Sequence, residues 1–353
     1  MTPSTGTPPL RVAVIGCGVI GAWHARIMAE SAQAELVAIC DTDVDRAGAL
    51  AATLRTRPCS DLGALLAEAR LDAVVIATPE EAHVAQAVAA AEAGCAMLIE
   101  KPVASDLPGV AAIAAAADRA GVMVMAAHVE RFEPGYAQLK SAVAQGVCGR
   151  VVSIVARRRY GPVQAPRFAG RSSTLRLLGV HDFDLVSWIH PVPPVEVFAV
   201  AGRGAIHQAC GMDDCVTVTI RYADGSVGRV DSAWTLPLAY ELWGAPEGAG
   251  PSGDNVLEVF GDKGMVANDL SLRNQQLTLF DAADGFRAVG LRHQLVLHGR
   301  VVGALRDEDE HFLTCVRDRL PPLVELDDAR RAIALTQAAE RSLSEGVPIR
   351  LGT

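Results

Sequence analysis

Five nearly continuous apolar runs, alternating with helical stretches, restrict the fold of this chain more than any other feature. They are Leu10–Gly16, Glu35–Asp41, Leu71–Pro79, Cys95–Pro102 and Val122–His128. Between them Ile20–Glu30, Val44–Leu54, Leu62–Glu68, Glu80–Ala93 and Asp106–Ala120 read as helices. The fourth ends at Gly94, a natural left-handed C′ residue. A strand that is apolar at every position, rather than at alternate ones, is buried on both faces. With helices in the connections, that implies a parallel, doubly wound sheet.

The pattern changes after His128. Val151–Arg159, Val195–Ala201, Val216–Tyr222, Val227–Trp234 and Val256–Phe260 alternate in the manner of half-buried strands. Turn signals at Ala223–Ser226, Gly261–Gly264 and Ala283–Gly285 separate several of them. Pro134–Gln145, Thr174–Ile189, Asp307–Arg319 and Asp327–Glu345 read as helices, and Gly244–Asn255 as a loop. The expected division is residues 1–127, with the parallel sheet, and residues 128–353, with a largely antiparallel one. A chain of 353 residues that is 50% hydrophobic has the material for two cores.

Charge excludes several functions. Thirty-two Lys+Arg against 41 Asp+Glu leave a formal charge of −9, wrong for a generic nucleic-acid binder or a polybasic membrane binder. The eight cysteines form no CxxC pair and no zinc-ligand spacing, so no metal is expected and the thiols are read as reduced. The first ten residues lack a basic leader pattern, and no window is apolar enough to span a bilayer. A cytoplasmic protein is the expectation.

Three short segments carry chemistry. Gly16–Gly21, "GCGVIG", follows a strand and opens a helix. Gly16 permits the tight turn, Gly18 lets backbone approach a pyrophosphate, and Gly21 lets helix and strand pack closely. Val19 and Ile20 open the helix whose N-terminus favours that charge. Asp41 ends the second strand, where a carboxylate can accept from ribose hydroxyls and repel a 2′-phosphate. NAD is therefore expected over NADP, with Arg46 as the cation NADP would need. Glu100–Lys101–Pro102 ends a buried strand at the sheet edge where ligands sit. In "GVHDFDLVSWI", His181 and Asp184 share a helix face, so Asp184 could orient a proton-exchanging imidazole, and Asp182 points elsewhere as a solvated charge.

Taken in order, "GCGVIG", "ATPEEAH" (Ala77–His83), "EKP", "HVERFEP" (His128–Pro134), "GVHDFD" and "LEVFGDKG" (Leu257–Gly264) give a wider signal. With them the chain resembles the Gfo/Idh/MocA oxidoreductase family, named for glucose–fructose oxidoreductase and inositol dehydrogenase. The resemblance implies an α/β fold: an N-terminal Rossmann dinucleotide-binding domain plus a C-terminal α+β domain with a large, mostly antiparallel open-faced sheet for substrate binding and oligomerisation. It implies hydride transfer between NAD(P) and a secondary alcohol or ketone of a sugar, sugar acid, nucleotide-linked sugar or cyclitol. Lys101 and His181 would match the catalytic lysine and histidine. Thr78, Pro79 and His83 would line the nicotinamide side, with Glu100 and Lys101 beside them. His128, Arg131, Arg157 and Tyr160 join Lys101 and His181 as substrate-side candidates. A homodimer or homotetramer is implied.

One position departs from the family pattern. The acid usually found four residues before the histidine is Leu177 here. That keeps a non-catalytic NAD-binding sensor open as an alternative, beside an imine or enone reductase. A second anomaly is the span from Pro134 to His181, which holds Lys140, Arg150, Arg157, Arg158, Arg159, Arg167, Arg171 and Arg176 but no acid. Either an anionic substrate or a subunit contact would use it.

Overall fold

The computed structural model describes residues 8–236, 253–271, 278–281, 285–288 and 295–352. The chain opens with β1 (Leu10–Ile15), α1 (Val19–Glu30), β2 (Ala34–Cys40), α2 (Val44–Leu54), β3 (Arg57–Cys59), α3 (Leu62–Glu68) and β4 (Ala73–Ile76). It continues with α4 (Glu80–Glu92), β5 (Ala96–Glu100), α5 (Leu107–Ala120) and β6 (Val124–Ala127). Carboxylates start several of these helices: Asp43, Asp61 and Asp106 accept from backbone N–H groups of α2, α3 and α5. The six strands lie in the order β3-β2-β1-β4-β5-β6, every pair parallel, as the apolar runs require. β3 is an addition to the expected strands. Its three residues are mostly exposed, so no apolar run announces it; it is recruited by pairing with the edge of β2.

After a 3₁₀ turn at Val129–Phe132 come α6 (Pro134–Ala144) and β7 (Val151–Arg159). A π-helical turn, Leu175–Gly179, runs into α7 (Val180–Ile189). The expected single helix 174–189 is thus two kinds of helix. Then follow β8 (Pro194–Gly202), α8 (Ala205–Cys210), β9 (Cys215–Tyr222), β10 (Val227–Ala233), β11 (Asp254–Gly261) and β12 (Met265–Asp269). Short ribbons pair β13 (Thr278–Asp281) with β14 (Gly285–Ala288) and β15 (Leu295–Leu297) with β16 (Arg300–Val302). The chain closes with α9 (Ala304–Asp318), α10 (Leu326–Glu345) and β17 (Ile349–Arg350). Most of the expected 244–255 loop, and most of the 283–285 turn, lie outside the described residues.

The second sheet has the order β12-β11-β7-β10-β9-β8-β17, antiparallel except where β10 runs parallel to β7. One face is core: Ile154, Ala156, Val218 and Ile220 pack with Phe183 and Val186 of α7 and with Leu335 and Ala339 of α10. On β9 the residues alternate between buried and accessible, the mark of a sheet covered on one side only. Its other face is open and carries exposed Phe198 and Val200.

Two compact units result, Met1–Val129 with Leu297–Arg330, and Glu130–Val296 with Arg331–Thr353. The boundary lies two residues beyond the expected one. The larger correction is that residues 297–330, expected in the second domain, belong to the first unit. The cause is local packing. Val301 and Leu305 bury against Ile27, with Ile20 and Trp23 beside them. The N–H of Ala126 also donates to Val324 O at the edge of β6, 3.2 Å away.

Candidate active site

In the first unit the carboxyl ends of parallel strands bring the predicted residues to one sheet edge. Gly16 has φ +96°, and a Cβ there would lie 2.5 Å from Ala77 O. At Gly21 a Cβ would lie 2.0 Å from Gly16 O. Both glycines are therefore demanded by backbone approach within the turn. Gly18 is different: a Cβ would meet nothing within 4 Å. Gly18 starts α1 with no side-chain cap, and the first turn, which includes Val19 and Ile20, holds no acid. The N-terminal donors of α1 thus open onto a side-chain-free cradle.

Asp41 follows β2 and is fastened by backbone donors, Cys17 N–H to Oδ2 at 2.7 Å and Asp43 N–H to Oδ1 at 2.9 Å. Its carboxylate is pre-set beside the glycine turn. Arg46 is drawn to Asp43 at 2.7 Å and lies 3.8 Å from Asp41. The Cys17 thiol is pushed up to about 12 by burial and by Asp41, so it is no nucleophile.

Thr78 and Pro79 follow β4, and Lys101 follows the last residue of β5. The Lys101–Pro102 peptide is cis. His128 follows β6 and is buried. Two expected cofactor contacts have other work. The ring nitrogens of buried His83 lie 2.9 Å from Pro102 O and 2.8 Å from Thr78 O, so the ring braces two loops rather than facing a ligand. Glu100 is also interior: Oε2 accepts from Lys101 N–H at 3.0 Å and Oε1 lies 3.2 Å from His24 Nε2.

In the second unit, His181 is the one partly exposed residue between Val180 and Val186; all the others there are buried. The reason is a pair of internal ion pairs. Arg131 Nε and Nη2 donate to Asp184 Oδ2 and Oδ1 at 2.9 and 2.6 Å, with the guanidinium 5.2 Å from the Trp188 ring centre. Arg158 donates to both oxygens of Asp182 at 3.0 and 3.1 Å and to Glu130 at 2.6 Å. Four buried charges on the 3₁₀ turn and α7 therefore set the roll of α7. Burial outweighs Arg158 at Asp182 and pushes its carboxyl up to about 6.

Several expectations are corrected here. Asp182 is a buried salt-bridge partner, not a solvated charge. Asp184 has both oxygens on Arg131, which makes it a buried counter-ion. Arg131, expected at the substrate, is interior. Leu177 packs in an apolar cluster with Phe168, Tyr160 and Trp234, so no acid stands at that position, and Tyr160 is partly buried there. Half of the cationic span, Arg157, Arg158, Arg159 and Arg176, meets acids of the same unit that are distant in sequence. Arg157 forks onto Asp254 at 3.1 Å for both bonds, and Arg159 reaches the same carboxylate at 4.0 Å. Arg176 is paired with Glu340 at 3.0 Å. An acid-free stretch of sequence is thus not an acid-free surface.

The buried charges were legible only in part. His24 lies on the same α1 stripe as Ile20 and Ile27, and Asp309 on the α9 stripe of Leu305 and Phe312. A polar residue on an apolar stripe signals a buried partner, but not which one. Among the described residues, no group of His, Cys, Asp or Glu is arranged to hold a metal ion.

Residues 10–128 match a family model described as an oxidoreductase family with an NAD-binding Rossmann fold. Residues 136–267 match the GFO/IDH/MocA C-terminal domain. Inositol 2-dehydrogenase 4 of Saccharopolyspora erythraea is 31% identical over 299 residues, 80% of this chain and 87% of that relative. The chain belongs to the Gfo/Idh/MocA oxidoreductase family. Within that family it is similar to scyllo-inositol 2-dehydrogenase (NAD(+)) of Bacillus subtilis, at 27% identity over 97% of this chain and 96% of that one. A solved myo-inositol dehydrogenase from Corynebacterium glutamicum superposes with a TM-score of 0.80 at 25% identity, covering 98% of this chain and 99% of that one. The Gfo/Idh/MocA assignment agrees with the side-chain-free cradle at Gly18, the uncapped α1 and the fastened Asp41. Those residues fit a pyrophosphate and an adenosine ribose.

Proposed function

We propose that the protein is an NAD-dependent dehydrogenase that oxidises a secondary alcohol of a cyclitol or sugar to a ketone, or runs the reverse reaction. One observation carries the reading. Lys101 closes β5 on the same edge of the parallel sheet as the glycine turn after β1 and Asp41 after β2. Bound NAD supplies the hydride acceptor. Lys101 hydrogen-bonds the carbinol oxygen and stabilises the negative charge that grows on it. His181 takes the hydroxyl proton. Thr78 and Pro79 border the nicotinamide, and His128 contributes from the end of β6.

A neutral cyclitol suits the paired arginines better than an anionic sugar does, and the inositol 2-dehydrogenase names of the relatives point the same way. NAD is favoured over NADP because a carboxylate, Asp41, follows β2 beside the glycine turn and Arg46 is held by acids. A homodimer or homotetramer formed through the open face of the second sheet belongs to the same proposal. So does a cytoplasmic location, supported by eight free thiols. No helix among the described residues is long and apolar enough to cross a membrane.

The test is a panel of inositols, neutral sugars and uronates with NAD or NADP, followed by the absorbance of the reduced cofactor. Turnover of an inositol with NAD is expected. Turnover of a uronate alone would restore a substrate role for the arginines. NADH binding without any turnover would favour the sensor alternative that Leu177 keeps open.

A further inference from the structure

The first unit holds a buried charge cluster that the proposed reaction does not use directly. His24, on α1, is fully buried. Its Nδ1 lies 2.8 Å from Asp309 Oδ1 on α9, and its Nε2 lies 3.2 Å from Glu100 Oε1 at the end of β5. A carboxylate only accepts, and a neutral imidazole has one N–H to give. Serving both acids therefore requires the imidazolium. The other oxygen of Glu100 accepts from the backbone N–H of Lys101 at 3.0 Å. The chain Asp309–His24–Glu100 thus ends on the peptide that carries the lysine.

We propose that His24 is a positioning residue for Lys101: through Glu100 it fixes the end of β5, and through Asp309 it braces that end against α9. This rests on the role given to Lys101 above. Three arguments support it. Burying an ion cluster of this kind stabilises a protein no better than apolar packing would, so its service is orientation. α1 begins at the glycine turn, so one ring joins the helix at the cofactor cradle to the strand end that bears the lysine. The brace also explains why residues 297–330 are part of the first unit, since Asp309 comes from that segment. A reacting group misplaced by about 1 Å loses about 10²-fold in rate, so a rigid support for Lys101 has a kinetic effect.

His24→Gln keeps a donor for only one of the two acids, and Asp309→Asn keeps the shape while removing a charge. The second variant secures the test if the first fails to fold. In His24→Gln, kcat should fall about tenfold or more while NADH affinity and KM for the polyol stay within about threefold. Asp309→Asn should lose kcat in the same direction by about threefold or more. In a Lys101→Ala background either change should alter the residual rate by less than about twofold, because the group being positioned is gone. Amide hydrogen exchange gives a readout that needs no turnover. Protection at Lys101 N–H should drop about tenfold in the variants, with Met97–Ile99 inside β5 unchanged. Equal losses with and without Lys101, or unchanged exchange at Lys101, would overturn the proposal. Absence of polyol turnover in the unaltered protein would overturn the function instead, and the exchange result would still decide whether His24 holds Lys101 in place.

Discussion

Gly18 and Gly21 stand in one turn and do unlike things. Gly21 is required by the fold, because a methyl there would strike the carbonyl of Gly16. Gly18 is free of such contacts, so its small size serves whatever enters the cradle. Gly21→Ala should therefore lower stability by about 1–3 kcal/mol in urea denaturation. Gly18→Ala should leave the denaturation midpoint unchanged and weaken NADH binding in a fluorescence titration. A stability loss at Gly18 equal to that at Gly21 would contradict this division. Lys101 offers the complementary case, since it closes β5, two strands along the same sheet edge from the glycine turn. Lys101→Ala should reduce kcat by about 10²–10³ while NADH still binds. A loss below about fivefold would remove the lysine from the chemistry.

Between elements, the decisive contacts are ionic and buried. α7 is held by Arg131–Asp184 and Arg158–Asp182, and this leaves His181 as the residue that turns outward. The π-helical turn before α7 shifts the phase of the segment, so spacing counted on an ideal helix does not place Leu177 and His181 one above the other. Arg158 neutralises two acids, Asp182 and Glu130, whereas Asp182 answers to one cation. Arg158→Leu would leave both carboxylates buried without it and should cost about 3–5 kcal/mol by chemical denaturation. Asp182→Asn should cost less, since Glu130 remains to pair Arg158. The reverse ranking would mean that Asp182, not Arg158, anchors the helix.

At the scale of the whole molecule, the second sheet keeps one face on its core and one open. Phe198 and Val200 on that open face are exposed, in line with Thr219 and Thr217 of β9. An apolar pair on a broad sheet face suits contact with a second copy. The native protein should elute as a dimer or tetramer in size-exclusion chromatography with light scattering. Phe198→Lys should shift it toward a smaller species, and a monomeric unaltered protein would refute the assembly.

The alternation of continuous apolar runs with helices was enough to specify the parallel sheet, because burial on both faces is written into every residue of a strand such as Ala73–Ile76. The turn Gly16–Gly21, Asp41 and Lys101 were legible for the same reason: each is adjacent in sequence to the strand end that positions it. Partners distant in sequence were not legible. His24 finds Asp309 across 285 positions, Arg157 finds Asp254 across 97, and the segment 297–330 crosses into the other unit. Local propensity sees neighbours along the chain. Charge pairing in a buried setting depends on which side chains packing brings together, and only the tertiary structure decides that.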